Sequence, residues 1–216
     1  MGDAATIHVV DDDPAVRDSL ALLLKAEGQP CHTYFSARAF LDAIGQDATG
    51  CVVTDVRMPE MSGFELLSAM KERHISMPVI VITAQGDVPM AVAAMKQGAV
   101  DFIKKPFDGA VLLASVRAAL KRGEGERGSD AEIQAMRERF ATLTNRENEV
   151  LEGLLKGLPN KIIAYELGIS VRTLEAHRAK LMAKTQARGL ADLVRMALAI
   201  QQDPPGLGSQ VYDPGI

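Results

Sequence analysis

The 216-residue chain is 47% hydrophobic and 24% charged, the balance of an ordinary globular protein, and its length suits two small domains better than one. No run approaches the roughly 18 apolar residues of a membrane span, and no basic-then-apolar leader is visible, so a cytosolic protein with no membrane partner is expected. The formal net charge of −4 hides an asymmetry: residues 1–122 hold 12 Lys/Arg against 15 Asp/Glu, and residues 141–200 hold 9 against 6. An acidic front and a mildly basic back imply different partners, but so small an excess does not by itself identify nucleic acid.

In chain order, short β-branched runs alternate with amphipathic stretches. Strands are expected at 7–10, 31–34, 51–54, 79–83 and 101–103, with helices near 14–27, 36–45, 64–73, 88–97 and 109–121. Three of the strands are almost wholly apolar, as when helices cover both sheet faces. Five such units predict an open parallel sheet with right-handed crossovers, and its chemistry should collect beyond the carboxyl ends of the strands. Cys31 and Cys51 lie in apolar runs and read as buried, reduced thiols.

Composition changes at Arg122-Gly-Glu-Gly-Glu-Arg-Gly-Ser129, a glycine-rich and charged stretch that reads as a flexible hinge. A short helix is expected at about 130–141, so that 123–140 forms a partly helical linker. Beyond it the pattern is purely helical. Thr144-Asn-Arg-Glu147 fits a capping box, and Val150, Leu151, Leu154 and Leu155 share one face of the helix it opens. Gly157 ends that helix. A second runs from about Asn160 to Leu167 and stops at Gly168, Ser170 can cap a third over 171–184, and a fourth spans about 190–200. The tail from Gln201, rich in Pro and Gly, reads as disordered.

Asp11 and Asp12 follow the first strand, Asp55 the third, Thr83 ends the fourth and Lys105 follows the fifth. Adjacent strand ends lie about 5 Å apart, so these groups can converge. Three carboxylates repel one another unless a cation joins them, and Mg²⁺ suits oxygen ligands. A hydroxyl and an ammonium beside them point to a phosphoryl group, with Asp55 as nucleophile. Each part has a plainer reading: Asp11-Asp12 before Pro14 can cap a helix, and Lys105-Pro106 can be a turn.

With Val9-Val-Asp-Asp12, Asp55-Val-Arg-Met-Pro59, Thr83-Ala84 and Lys105-Pro106, residues 5–121 resemble a two-component receiver domain, a flavodoxin-like α/β fold with a five-stranded, parallel, doubly wound sheet. Gly86-Asp-Val-Pro-Met-Ala-Val92 and residues 94–103 narrow the resemblance to FixJ-type regulators. It implies an aspartyl phosphate at Asp55 and direct Mg²⁺ ligation by Asp12, Asp55 and the Arg57 backbone carbonyl, with Asp11 acting through water. Thr83, the Ala84 amide and Lys105 would hold phosphate oxygens. Thr83 and Phe102 would form the switch, and the 88–97, 101–103 and 109–121 face would carry a phosphorylation-dependent homodimer. Gln85 and Lys104 depart from the family pattern, which commonly has His and an acidic residue there.

On the third helix of the back half, Val171, Leu174, Leu181 and Met182 fall on one side and Arg172, Thr173, Ala176, Ala179 and Lys180 on the other. That outward face joins cations to small residues that permit close approach to a major groove. A solvated basic face has the same appearance. Leu143-Thr-Asn-Arg-Glu147, Gly157-Leu-Pro-Asn-Lys-Ile-Ile-Ala164 and Ser170-Val-Arg-Thr-Leu-Glu-Ala-His-Arg178 make residues 143–200 resemble the LuxR-type four-helix DNA-binding domain. The resemblance implies that the third helix enters the groove, with Lys161, Arg172, Thr173, Glu175, Ala176, Arg178, Ala179 and Lys180 as the DNA-contacting set. Arg178 lies near the apolar side, where it suits a phosphate better than a base, and His177 would pack between helices or contact the DNA backbone. The fourth helix would aid dimerisation.

Together these features predict a receiver over 1–122, a DNA-binding domain over 141–200 and a flexible tail over 201–216. The resemblance adds a sensor histidine kinase, promoter DNA and RNA polymerase as partners, with activation favoured over repression. Oxygen response and nitrogen fixation are among the pathways such regulators serve. Two rivals stand. A Mg²⁺-dependent phosphatase could use Asp55, although a haloacid-dehalogenase-type enzyme would want Asp where Arg57 stands. A helical protein-docking module could dispense with DNA.

Overall fold

The computed structural model describes residues 5–45, 48–123 and 130–202. The first half runs β1 (Thr6–Val10), α1 (Pro14–Ala26), β2 (Cys31–Tyr34), α2 (Ala37–Ala43), β3 (Gly50–Asp55), α3 (Gly63–Glu72), β4 (Val79–Thr83), α4 (Val88–Lys96), β5 (Asp101–Lys104) and α5 (Gly109–Gly123). The sheet order is β2-β1-β3-β4-β5 and every pairing is parallel. The winding direction reverses between β1 and β3, which opens a crevice at their carboxyl ends.

Alternation along each strand sorts side chains to two faces. Ile7, Val9, Cys51, Val53, Ile80 and Ile82 join Leu20 and Leu24 of α1 and Leu112 and Val116 of α5. Val10, Val52, Val79 and Val81 join Phe40 of α2, Leu66 and Met70 of α3, and Val92 of α4. Both faces are covered, hence the apolar strands. Cys51 is buried as expected, and burial pushes its thiol up to about 12. Cys31, on the edge strand β2, is only partly buried.

The back half holds α6 (Asp130–Ala141), α7 (Asn145–Leu155), α8 (Asn160–Glu166), α9 (Val171–Thr185) and α10 (Leu190–Gln202). The capping box at Thr144 and Glu147 forms as the spacing predicts, and Ser170 accepts from the Thr173 amide. Gly157 and Gly168 follow α7 and α8 with φ of 75° and 64°, a left-handed geometry open to glycine. Leu154, Ile163, Leu174, Leu181 and Leu193 make the core of this half. Truncating one of them to Ala should cost about 2–5 kcal/mol.

Some expectations need correction. Val171 does not join the buried side of α9; at the helix start it is 37% exposed, beyond the reach of the core. α10 continues through Gln201 and Gln202, where a disordered tail was expected, and the rest of that tail (203–216) lies outside the described residues, as does most of the hinge (124–129). α10 also packs along α4 of the front half and reaches β5.

Candidate functional site: an acidic pocket and a helical reading face

The parallel sheet delivers its polar side chains to one rim. Asp55 is the last residue of β3 and Thr83 the last of β4, and both are buried, as is Asp11 just past β1. Lys105, just past β5, closes the group. Its Nζ stands 2.8 Å from Asp11 Oδ2 and 2.9 Å from Asp55 Oδ1. The remaining carboxylate oxygens are also engaged: Asp11 Oδ1 accepts from the Asp13 amide at 2.9 Å and Asp55 Oδ2 from the Arg57 amide at 2.7 Å. The backbone supports Lys105, whose amide donates to the Thr83 carbonyl at 2.7 Å.

Burial pushes the Asp11 carboxyl above its ordinary value, against the pull of Lys105 and the Asp13 amide. For Lys105, burial opposes the charge, but bonding and attraction to Asp11 and Asp55 outweigh it and hold the ammonium above the usual lysine value. The pocket is therefore an ammonium bridging two carboxylates, one of them strained by desolvation.

The helix cap falls to Asp13, whose Oδ1 accepts from the Ala15 amide at 2.8 Å. That leaves Asp11 and Asp12 free of the plainer capping role. Asp12 is exposed, and among the described residues no group of three or more His, Cys, Asp or Glu side chains is drawn together as a metal site. Lys105 bridges Asp11 and Asp55, and no bond from it to Asp12 is found among the described residues. The donors at the rim are still all oxygens, carboxylate and carbonyl, which is the set that Mg²⁺ accepts.

Two residues at this rim were missed by sequence reasoning. Arg17 donates from Nη1 to the carbonyls of Asp11 (2.7 Å) and Asp12 (2.9 Å), bracing the acidic loop. Its signal was a cation near the start of α1, where a helix dipole favours anions. Gly86 is the other. A Cβ there would sit 2.9 Å from Phe102 Cε1 and 3.4 Å from Thr83 Cγ2, so the two expected switch residues border one glycine. Thr83 Oγ1 meanwhile accepts from the Gln85 amide at 3.3 Å. The Gln85 and Lys104 side chains are exposed.

In the back half, Lys161 on α8 and Arg172, Thr173, Glu175, Ala176, Ala179 and Lys180 on α9 are all exposed. Arg178 differs. It is half-buried, and its Nη1 donates to Asn160 Oδ1 at 3.0 Å, tying the two helices together. Asn160 lies in the Gly157–Ala164 stretch that carries the resemblance, but sequence reasoning assigned it no role of its own. His177 is also half-buried, consistent with packing.

The response regulator receiver domain model matches residues 7–117, and the model of bacterial regulatory proteins of the luxR family matches residues 141–197. The transcriptional regulatory protein FixJ of Azorhizobium caulinodans is 53% identical over 199 residues, covering 92% of this chain and 94% of that protein. The chain belongs to the FixJ-type response regulators. FixJ of Bradyrhizobium diazoefficiens is 48% identical (89% of this chain, 94% of that protein), and the response regulator protein TodT of Pseudomonas putida 41% (89% and 85%). Among solved structures, full-length FixJ from B. japonicum matches with a TM-score of 0.55 at 46% identity, covering 93% of this chain and 98% of that one. This FixJ-type chain thus joins a receiver to a LuxR-type DNA-binding domain and regulates transcription; its relatives are regulators rather than enzymes. No helix among the described residues is long and apolar enough to cross a membrane.

Proposed function

We propose that Asp55 accepts a phosphoryl group from a sensor histidine kinase, and that the phosphorylated protein pairs and binds promoter DNA to activate transcription. The observation that carries this reading is the Lys105 ammonium held between Asp11 and Asp55 at the switch point of a parallel sheet. Residues 1–122 act as the receiver, 123–140 as the linker, 141–200 as the DNA-binding domain and 201–216 as a tail.

An Asp55 carboxylate oxygen attacks phosphorus, the bond to the donor breaks, and the donor leaves with its electron pair. Asp12, Asp55 and the Arg57 carbonyl, with Asp11 through water, would hold Mg²⁺, which would supply positive charge against the charge that gathers there. Lys105 then shifts from the Asp55 carboxylate to a phosphate oxygen, a charge-assisted bond of the same kind. The Ala84 amide and the Thr83 hydroxyl donate to the others. Thr83 thereby leaves its contact with the Gln85 amide, and Phe102, bordering the same glycine, moves into the space. The energy for the switch is the difference in phosphate binding between these two arrangements.

On DNA, α9 enters the major groove with Arg172, Thr173, Glu175, Ala176, Ala179 and Lys180 outward, while Lys161 and Arg178 reach phosphates. RNA polymerase is the partner through which bound protein activates. The phosphoryl step is tested by intact-mass spectrometry after treatment with Mg²⁺ and acetyl phosphate. The wild-type chain should gain one phosphoryl group and Asp55→Asn none; equal labelling of both would overturn the assignment.

A further inference from the structure

Helix α5 carries a stripe of mostly small side chains. Val111, Ala114, Ser115 and Ala118 recur at three- and four-residue spacing, so they share one face of the helix. So little bulk leaves room between α5 and what stands opposite. A cavity of about 630 Å³ opens between that stripe, β5 and the start of α10. Its size falls in the range of about 300–1,000 Å³ usual for small-molecule sites. Phe102 and Phe107 supply aromatic wall, and none of Asp11, Asp55, Thr83 or Lys105 lines it.

The polar groups around this cavity are unequally satisfied. Ser115 is 7% exposed, and its Oγ is buried on the cavity wall with no hydrogen-bond partner among the described residues. Nearly all buried hydroxyls have one. Three carboxylates border the cavity, and each is engaged. Asp101 accepts from the Phe102 amide at 2.8 Å and Asp108 from the Ala110 amide at 2.9 Å. Asp192 accepts from the Arg188 amide at 3.0 Å and from the Arg195 guanidinium. The other two cations that border the cavity, Lys104 and Arg188, are exposed. Arg188 Nε stands 3.8 Å from Asp192 Oδ2, beyond hydrogen-bond reach. No bond from the Lys104 ammonium is found among the described residues. The spare groups are therefore donors: a hydroxyl, an ammonium and a guanidinium. Together they suit an anion.

We propose that this cavity binds a small aromatic carboxylate. The flat ring enters between the phenylalanine side chains and the small-residue stripe, and the carboxylate accepts from the Ser115 hydroxyl, Arg188 and Lys104. A planar guanidinium meets the two oxygens of a carboxylate side by side, which an alcohol cannot match. An aliphatic acid of the same charge fits a slot beside aromatic rings less well, because it forgoes stacking. Both halves of the chain line the site, from Ser115 on α5 to Arg188 just before α10, so the full chain is needed to form it. Nothing in the site calls on the Asp55 pocket, so the unphosphorylated chain binds.

The probe is 2-naphthoate, titrated into the isotopically labelled, unphosphorylated full chain and followed by backbone amide shifts. 2-Naphthalenemethanol serves as its uncharged counterpart. Amides of α5 around Ser115 and of the turn before α10 should shift along one saturable curve, with a Kd of about 1 mM or tighter for a ligand of this size. The alcohol should bind about tenfold more weakly. No saturation by about 10 mM, equal affinity for acid and alcohol, or shifts confined to other surfaces overturns the proposal. Arg188→Gln, at an exposed side chain, should fold normally, weaken the acid by about tenfold and leave the alcohol unchanged. An unaltered affinity for the acid in this variant contradicts the site. Ser115→Ala should weaken the acid by about fivefold and melt no lower than wild type, because its hydroxyl has no bond to lose. A lower melting temperature would mean that the hydroxyl is already bonded within the chain, which contradicts the proposal.

Discussion

Lys105 Nζ lies 2.9 Å from Asp55 Oδ1, and in the proposed phosphorylated form a phosphate oxygen would take the place of this contact. The same ammonium neutralises Asp11, whose side chain is 2% exposed. Removing it leaves a buried carboxylate without its cation. Lys105→Met should lower stability at neutral pH by about 1–3 kcal/mol, the penalty of an uncompensated buried polar group. Because burial already raises the Asp11 carboxyl, the variant's deficit should grow as pH rises above the ordinary carboxylate range and shrink below it. Urea unfolding at pH 4 and pH 7 checks the sign, and a larger deficit at pH 4 contradicts it.

Gly86→Ala drives a methyl to 2.9 Å from Phe102 Cε1 and 3.2 Å from Cζ. The ring, being the far end of a side chain, should yield at a cost of about 1–3 kcal/mol. Coupling between the pocket and pairing should weaken at the same time. Adding Phe102→Leu should restore most of the stability without restoring the coupling, and thermal melts beside sedimentation separate the two effects.

Glu147 contributes acid sensitivity to the DNA-binding half. Its bond to Lys184 Nζ at 2.7 Å, followed by that to the Thr144 amide, holds its carboxyl down to about 2 from an ordinary 4.5. A depressed carboxyl contributes stability that is complete above the unfolded value and fades as pH falls through the folded one. The wild-type chain should therefore lose stability between about pH 4.5 and about pH 2. Glu147→Gln should be less stable at pH 7 and show a flatter profile across that window, as measured by acid titration of helix content.

The two kinds of arginine on α9 should part company. Arg172→Ala, at an exposed site, should weaken DNA binding and reduce the salt slope by about one, with little change in stability. Arg178→Ala also severs the link to Asn160, so it should lower both DNA affinity and the melting temperature. Binding isotherms at several salt concentrations, paired with melts, distinguish the two.

Most of the fold was legible because parallel strands and their helices carry strong periodicities. The five strands and the capping box at Thr144 and Glu147 stand where alternation and the Thr-to-Glu spacing place them. The convergence of Asp11, Asp55 and Lys105 was legible too, because strand ends in a parallel sheet have few places to go. Val171 was misplaced because a helical wheel treats a terminal turn like an interior one. The covering of α4 by α10 joins segments about a hundred residues apart, yet its cause was visible in a helix with almost no polar residue. Arg17, Gly86 and Asn160 act through close contacts that a single chain of letters does not rank.

The central claim is that phosphorylation of Asp55 controls DNA binding by the other half of the chain. The most direct measurement is the affinity of full-length wild type and Asp55→Asn for a two-half-site promoter duplex, with and without acetyl phosphate and Mg²⁺. Wild type should tighten by about tenfold or more, within the usual range of coupling between distant sites, and Asp55→Asn should not respond. An equal gain in both proteins, or none in a wild-type sample shown by mass to be phosphorylated, would contradict the account.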